Sequence, residues 1–170
     1  VEFIPAEKDI DCLNPLSVCK MYSGEDGFRP ATPSAVINLL DYYGIAIQGK
    51  RVVIVGRGNT VGKPLALIML QRNATVTVCH TKTVDLPSVC RSADILVSAC
   101  GVPALITADC VTDKTVVIDV GLSFVDGKTR GDVAEEVYDK CFAVSPVPGG
   151  VGPVTRSALF LNALAAAENK

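Results

Sequence analysis

Arg51-Val52-Val53-Ile54-Val55 runs straight into Gly56, with Gly58 and Gly62 close behind. A run that is β-branched at every position after its first residue has no side to turn toward water. It belongs inside a sheet covered on both faces, which means parallel strands joined by helices. The glycines follow at once and Leu65 to Gln71 then reads as a helix, so the unit is strand, glycine loop, helix. The same alternation continues along the chain. Ala74 to Cys79 is a second strand, Pro87 to Ser92 a short helix, Asp94 to Ser98 a third strand and Thr115 to Asp119 a fourth. Ser123 to Thr129 reads as a hairpin around Asp126-Gly127, Ala134 to Lys140 as a helix and Phe142 to Val144 as a last strand. A final helix covers Val154 to Glu168, with Pro153 at its first position.

This order predicts an α/β fold: a doubly wound, mostly parallel Rossmann-type sheet with right-handed crossovers, in three α/β/α layers. Ahead of it, Thr32-Pro33 opens a helix with Thr32 as N-cap, and Val36, Leu39, Leu40 and Tyr43 form its apolar face. Residues 1–31 show little apolar periodicity and are expected to be extended or looped. The expected organisation is a linking segment over 1–31, a nucleotide-binding domain over 32–152 and a terminal helix over 153–170.

At 170 residues, the chain is long enough to build a core without metal or disulfide staples. A net charge of −2 gives no basic field for nucleic acid or an anionic membrane. No apolar run approaches a membrane span, and Val1-Glu2-Phe3-Ile4-Pro5 lacks the features of a signal peptide. The expected setting is cytoplasmic. Seven scattered cysteines never form Cys-x-x-Cys and read as reduced, mostly buried thiols, while a lone histidine, His80, leaves little material for a metal site.

Gly56-Arg57-Gly58-Asn59-Thr60-Val61-Gly62 lies between a strand and its helix, where backbone N–H groups and the helix dipole hold a pyrophosphate. Its Gly-x-Gly-x-x-x-Gly spacing is also compatible with a tight packing turn, which accounts for Gly62 but not for Arg57 and Gly58 together. Enzymes using the unphosphorylated cofactor place an acid after the second strand to bind the ribose 2′-hydroxyl. Here that stretch is Cys79-His80-Thr81-Lys82-Thr83, with no carboxylate. Arg57, Thr81, His80 and Lys82 instead supply donors and positive charge for a 2′-phosphate, which favours NADP over NAD. Lys82 as a solvated charge and His80 as a partner for a backbone group are the plainer alternatives.

Further glycine turns follow the third and fourth strands, at Gly101 and at Gly121-Leu122. Pro146-Val147-Pro148-Gly149-Gly150-Val151-Gly152-Pro153-Val154-Thr155 has three prolines and three glycines among its first eight residues, which makes it both stiff and open to close approach. Thr155 is expected in the first turn of the last helix. These turns would line one crevice, with adenine at the first loop and nicotinamide at the later ones.

Taken in order, these motifs resemble the dinucleotide-binding half of the bifunctional methylenetetrahydrofolate dehydrogenase/cyclohydrolases. The resemblance runs from Pro5-Ala6-Glu7-Lys8-Asp9-Ile10-Asp11 through Pro30-Ala31-Thr32-Pro33, the loop at 56–62, Ile118-Asp119-Val120-Gly121 and Gly131-Asp132-Val133 to the loop at 146–155. It implies that Gly56, Arg57 and Gly58 bind NADP phosphates, with Thr81 near the 2′-phosphate; the reading of the residues above adds Gly62 and His80 to the expected cofactor site. It further implies that Leu122 and Thr155 lie on the nicotinamide side, where the strand-end turns already place Gly101 and Gly121, and that Pro148, Gly149, Gly150, Val151 and Gly152 border a tetrahydrofolate substrate. Asp11 would bind the pterin, with Asp9 structural. The chain departs from common members at Gly58, Thr81, Cys12 and Val154. The family's Tyr-x-x-x-Lys motif is not in the chain: four residues after Tyr22, Tyr42, Tyr43 and Tyr138 stand Asp26, Ala46, Ile47 and Phe142. No residue of the chain is therefore assigned as catalytic, and a fragment without that lysine is expected to be inactive. The resemblance also implies a homodimeric parent enzyme. Two other readings stay open: a free-standing NADP-binding module without catalysis, and an NADP dehydrogenase of shikimate type.

Overall fold

A computed structural model describes residues 4–168. At its centre is β1 (Arg51–Val55), buried at every residue after Arg51. The other elements are α1 (Pro15–Ser23), α2 (Ala31–Tyr42), α3 (Gly62–Gln71), β2 (Thr75–Cys79), α4 (Leu86–Arg91), β3 (Ile95–Ser98), β4 (Val116–Asp119), a small β5–β6 ribbon (Ser123–Val125 and Lys128–Arg130), β7 (Ala143–Val144) and α5 (Val151–Glu168). Five strands form one parallel sheet in the order β2-β1-β3-β4-β7. The chain turns outward from β1 to β2 and then returns to place β3 on the other side of β1. That reversal opens a crevice at the carboxyl ends of β1 and β3.

Period-two alternation along the buried strands divides the core between the two faces. Val52 and Ile54 join Ile95, Val97, Val116 and Ile118 against Val36 and Leu40 of α2, Leu65, Ile68 and Met69 of α3, and Val151 of α5. Cys12 and Met21, from before residue 32, belong to the same cluster. Val53 and Val55 face the other way, with Leu96 and Val117, onto Cys90 of α4 and the loop residues Ile106, Cys110, Val133 and Val137. All seven cysteines are free thiols. Asp126 and Gly127 both take positive φ, 50° and 74°, which is the turn that a tight β5–β6 hairpin requires.

Four local expectations are corrected. Residues 1–31 are not simply looped, because Pro15–Ser23 is a helix. Asn14 caps it by accepting from the Leu16 N–H, Pro15 occupies the first position, and Gly24 closes it in the left-handed conformation. Thr32 is not an N-cap: α2 starts at Ala31, whose N–H is taken at 2.8 Å by Asp11 Oδ1 from twenty residues upstream. Ala134–Lys140 is not an α-helix but a 3₁₀ turn over Glu135–Val137. The last helix begins at Val151, two residues before Pro153, which is tolerated because the first four N–H groups of a helix have no intrahelical partner. Val151 and Gly152 are thus helical, and Thr155 sits two residues further in than expected, past the first turn.

Candidate dinucleotide crevice

The loop after β1 is shaped by contacts that leave no room for a Cβ. Gly56 has φ 120° and packs on the Ala99 carbonyl, and a Cβ on Gly62 would overlap the Gly56 carbonyl. The first turn of α3 is thereby pressed against the end of β1. Val61, at the N-cap, offers no side-chain acceptor, so no side chain caps this helix start. A tight backbone cradle at an uncapped helix N-terminus fits a phosphate group. Gly58 is open, with nothing near its missing Cβ. Arg57 is exposed, and among the described residues the ion pairs are Arg51–Asp94 and Arg72–Asp41, so Arg57 carries an unpaired charge.

At the end of β2, Thr81 and Lys82 are exposed and His80 is half-buried. His80 Nδ1 accepts the Lys82 N–H at 3.1 Å, and the Thr83 hydroxyl accepts the His80 N–H at 2.8 Å. The imidazole thus satisfies a backbone group, the plainer of its two sequence readings.

Two carboxylates organise the turns at Gly101 and Gly121. Asp132 Oδ2 accepts from the Ser98 hydroxyl at 2.8 Å, the Cys100 N–H at 2.9 Å, the Cys100 thiol at 3.2 Å and the Gly101 N–H at 3.2 Å. Asp119 Oδ1 accepts the N–H groups of Gly121 and Asp132, and its Oδ2 accepts that of Val133, each at 3.0 Å. Burial pushes the Asp119 carboxyl above its usual range, against these amide donors, and the neighbouring Asp132 charge adds to the rise.

A crevice of about 440 Å³ opens here, lined by Gly121, Leu122 and Thr155, by Pro148 through Gly152, and by Asp119, Thr32, Thr129 and Arg156. It gathers the predicted substrate-side residues with three of the predicted nicotinamide-side ones. Gly56, Arg57, Gly58, Gly62, His80, Thr81 and Gly101 lie outside this lining. Gly56 is joined to it through Ala99, whose neighbours Cys100 and Gly101 bond Asp132. Asp11 is also outside the lining. One of its oxygens caps α2 at Ala31, next to Thr32 on the wall, and its other oxygen makes no hydrogen bond among the described residues. Asp9 is structural: its oxygens accept the N–H groups of Leu13 at 3.0 Å and Asn14 at 2.7 Å.

Asp119, Asp132, Thr32, Thr129 and Arg156 had no role in the sequence-based site. A legible signal existed for the two acids. Asp132 follows Gly131, and Asp119 follows three apolar strand residues, a place where a carboxylate needs a purpose.

Residues 30–170 match the family model described as tetrahydrofolate dehydrogenase/cyclohydrolase, NAD(P)-binding domain. The bifunctional protein FolD of Clostridium acetobutylicum is 51% identical over 160 residues, covering 94% of this chain and 58% of that relative. FolD of Thermus thermophilus is 48% identical over 98% of the chain and 59% of its own length. The chain therefore spans somewhat under two-thirds of these relatives. Among solved structures, the Campylobacter jejuni FolD dehydrogenase/cyclohydrolase superposes with a TM-score of 0.96 at 43% identity, over 99% of this chain and 61% of that one. The Trypanosoma brucei enzyme, solved with NADP cofactor and inhibitor, gives 0.90 at 40% identity, over 97% and 60%. Motif order, sheet topology and these matches agree: the chain belongs to the tetrahydrofolate dehydrogenase/cyclohydrolase family and carries its NAD(P)-binding domain.

Proposed function

We propose that this chain is the NADP-holding part of an enzyme that oxidises 5,10-methylenetetrahydrofolate to 5,10-methenyltetrahydrofolate and hydrolyses the product to 10-formyltetrahydrofolate. The observation that carries the reading is the crevice itself, where the nicotinamide-side turns and the Pro148–Gly152 segment form one wall. The bound cofactor supplies the hydride acceptor. Gly56 and Gly62 shape the phosphate cradle, Arg57 and Thr81 meet the 2′-phosphate, and Gly121, Leu122 and Thr155 shape the ring end. Pro148 to Gly152 and the free oxygen of Asp11 face the folate. The lysine that the family uses on the folate is not among these residues, so this wall orients the reactants and excludes water while the remainder of the parent enzyme supplies the activating group.

Homodimerisation of the parent and a cytoplasmic location complete the proposal. In its support, no helix among the described residues is long and apolar enough to cross a membrane. Phe124 and Phe142 stand 77% and 71% exposed, the kind of surface that a second copy covers.

Calorimetric titration tests the cofactor assignment. NADP is expected to bind more tightly than NAD, and Arg57→Ala is expected to cost about 1–3 kcal/mol of NADP affinity with little change for NAD. Equal affinities for the two cofactors would overturn it. The division of labour has its own test, a spectrophotometric assay of methylenetetrahydrofolate-dependent NADP reduction. The 170-residue chain alone is expected to show no turnover, and measurable turnover would place the activating group inside it.

A further inference from the structure

The proposed chemistry uses neither Asp119 nor Asp132 as an acid, a base or a ligand, yet both are buried beside the crevice, at 2% and 0% exposure. Neither is held in an ion pair: those among the described residues are Arg51–Asp94 and Arg72–Asp41, and Arg156, the cation that lines the same crevice, is paired with neither acid. The donor set of Asp132 falls entirely on Oδ2, and Oδ1 is buried without a partner. Tying two turns together requires an acceptor but not a charge, and a neutral side chain would do so at a lower desolvation cost. Two glycines bring the carboxylates against the wall backbone. A Cβ on Gly121 would overlap the Asp132 carboxyl, and one on Gly131 would overlap that of Asp119. The wall between Asp132 and the crevice is thus a single glycine, and Asp119 lines the crevice directly.

We propose that Asp119 and Asp132 are the counter-charge for the oxidised nicotinamide ring, so that this crevice discriminates the cationic oxidised cofactor from its neutral reduced form. The inference rests on the assignment of the Gly121–Leu122–Thr155 end to that ring. The oxidised ring carries a positive charge, which hydride transfer removes. Within a poorly solvated wall the attraction between carboxylate and ring is weakly screened, and it is lost when the ring is reduced. Asp119 and Asp132 touch the reaction only through this field, as specificity-determining residues that favour departure of the reduced cofactor.

The test is a titration of the wild-type protein and Asp132→Asn with three probes: NADP⁺, NADPH and 2′-phospho-ADP-ribose, which lacks the ring. Asparagine suits the site because its amide oxygen can take the place of Oδ2, with its amide nitrogen at the unpartnered position. NADP⁺ is expected to weaken by about tenfold, with NADPH and the ring-less fragment changed by less than about twofold. Ser98→Ala removes one donor but leaves the charge, and is expected to preserve the ratio of oxidised to reduced affinity. Should Asp132→Asn not fold, Asp119→Asn carries the same comparison. Parallel loss of all three probes would show a merely structural role and overturn the proposal, as would an unchanged ratio. Failure of the wild-type protein to bind any probe would instead overturn the dinucleotide reading on which the proposal stands.

Discussion

Gly62→Ala is expected to abolish dinucleotide binding and to lower stability by about 3 kcal/mol or more, at the severe end of single substitutions. The added methyl would overlap the Gly56 carbonyl and come within 3.0 Å of the Arg57 Cα. These obstacles are backbone, so no side chain can swing aside. Gly56 cannot retreat either, because its own α-carbon is packed on the Ala99 carbonyl. Either α3 separates from the end of β1 or the loop opens, and both destroy the cradle. Urea denaturation and an NADP titration of the same variant check the two effects. Gly58→Ala is the contrast: nothing lies within 4 Å of its added Cβ, and it is expected to cost less than about 1 kcal/mol of stability. A Gly62→Ala protein that binds NADP normally would show that the loop does not hold the phosphates.

Ile54→Ala is expected to destabilise the fold by about 2–5 kcal/mol. Ile54 is wholly buried in the middle of β1, paired with Val78 of β2 and Val97 of β3, and belongs to the cluster containing Leu40 and Ile68. Strands on both sides prevent collapse into the space left behind, which keeps the cost high. Equilibrium unfolding in urea measures it, with an unchanged slope showing that the unfolded state is unaltered. Val78→Ala, on the edge strand and 36% exposed, is expected to cost well under half as much. Similar losses at the two positions would contradict the central placement of β1.

The sheet was readable because β1, β3 and β4 are short, largely apolar and soon followed by glycine, the pattern of a doubly covered parallel strand. The turns were readable for a related reason, since Asp126-Gly127 and the glycines after β1, β3 and β4 name backbone shapes directly. Helix starts were less so. Thr32 has the chemistry of a cap, but Asp11 reaches the helix N-terminus from a distant loop, and no local pattern reports a partner twenty residues away. The helix at Pro15–Ser23 carried its own start signal in Asn14-Pro15, but its exposed Leu16, Val18 and Tyr22 blur the apolar stripe. The crevice walls at 121–122 and 148–152 could be named from their glycines and prolines. Asp119 and Asp132 could not be assigned that way, because what matters about them is which amides they collect after folding.

The sheet is covered unequally on its two faces. One face carries the long helices α2, α3 and α5, and the other carries the six-residue α4 and single 3₁₀ turns at Ala108–Cys110 and Glu135–Val137. The loop at 56–62 is anchored to the thick face through α3. The turn at Gly101 is tied to Asp132 and that at Gly121 to Asp119, whose carboxylate also holds the Asp132 and Val133 amides of the thin face. Segments with little secondary structure and small buried area open locally at lower free energy than the rest of a domain. On the proposed placement of the cofactor, breathing of the thin face is expected to loosen the ring end while the phosphate end stays gripped. A cofactor so placed would behave as a hinged arm, fixed at one end and free to reset at the other.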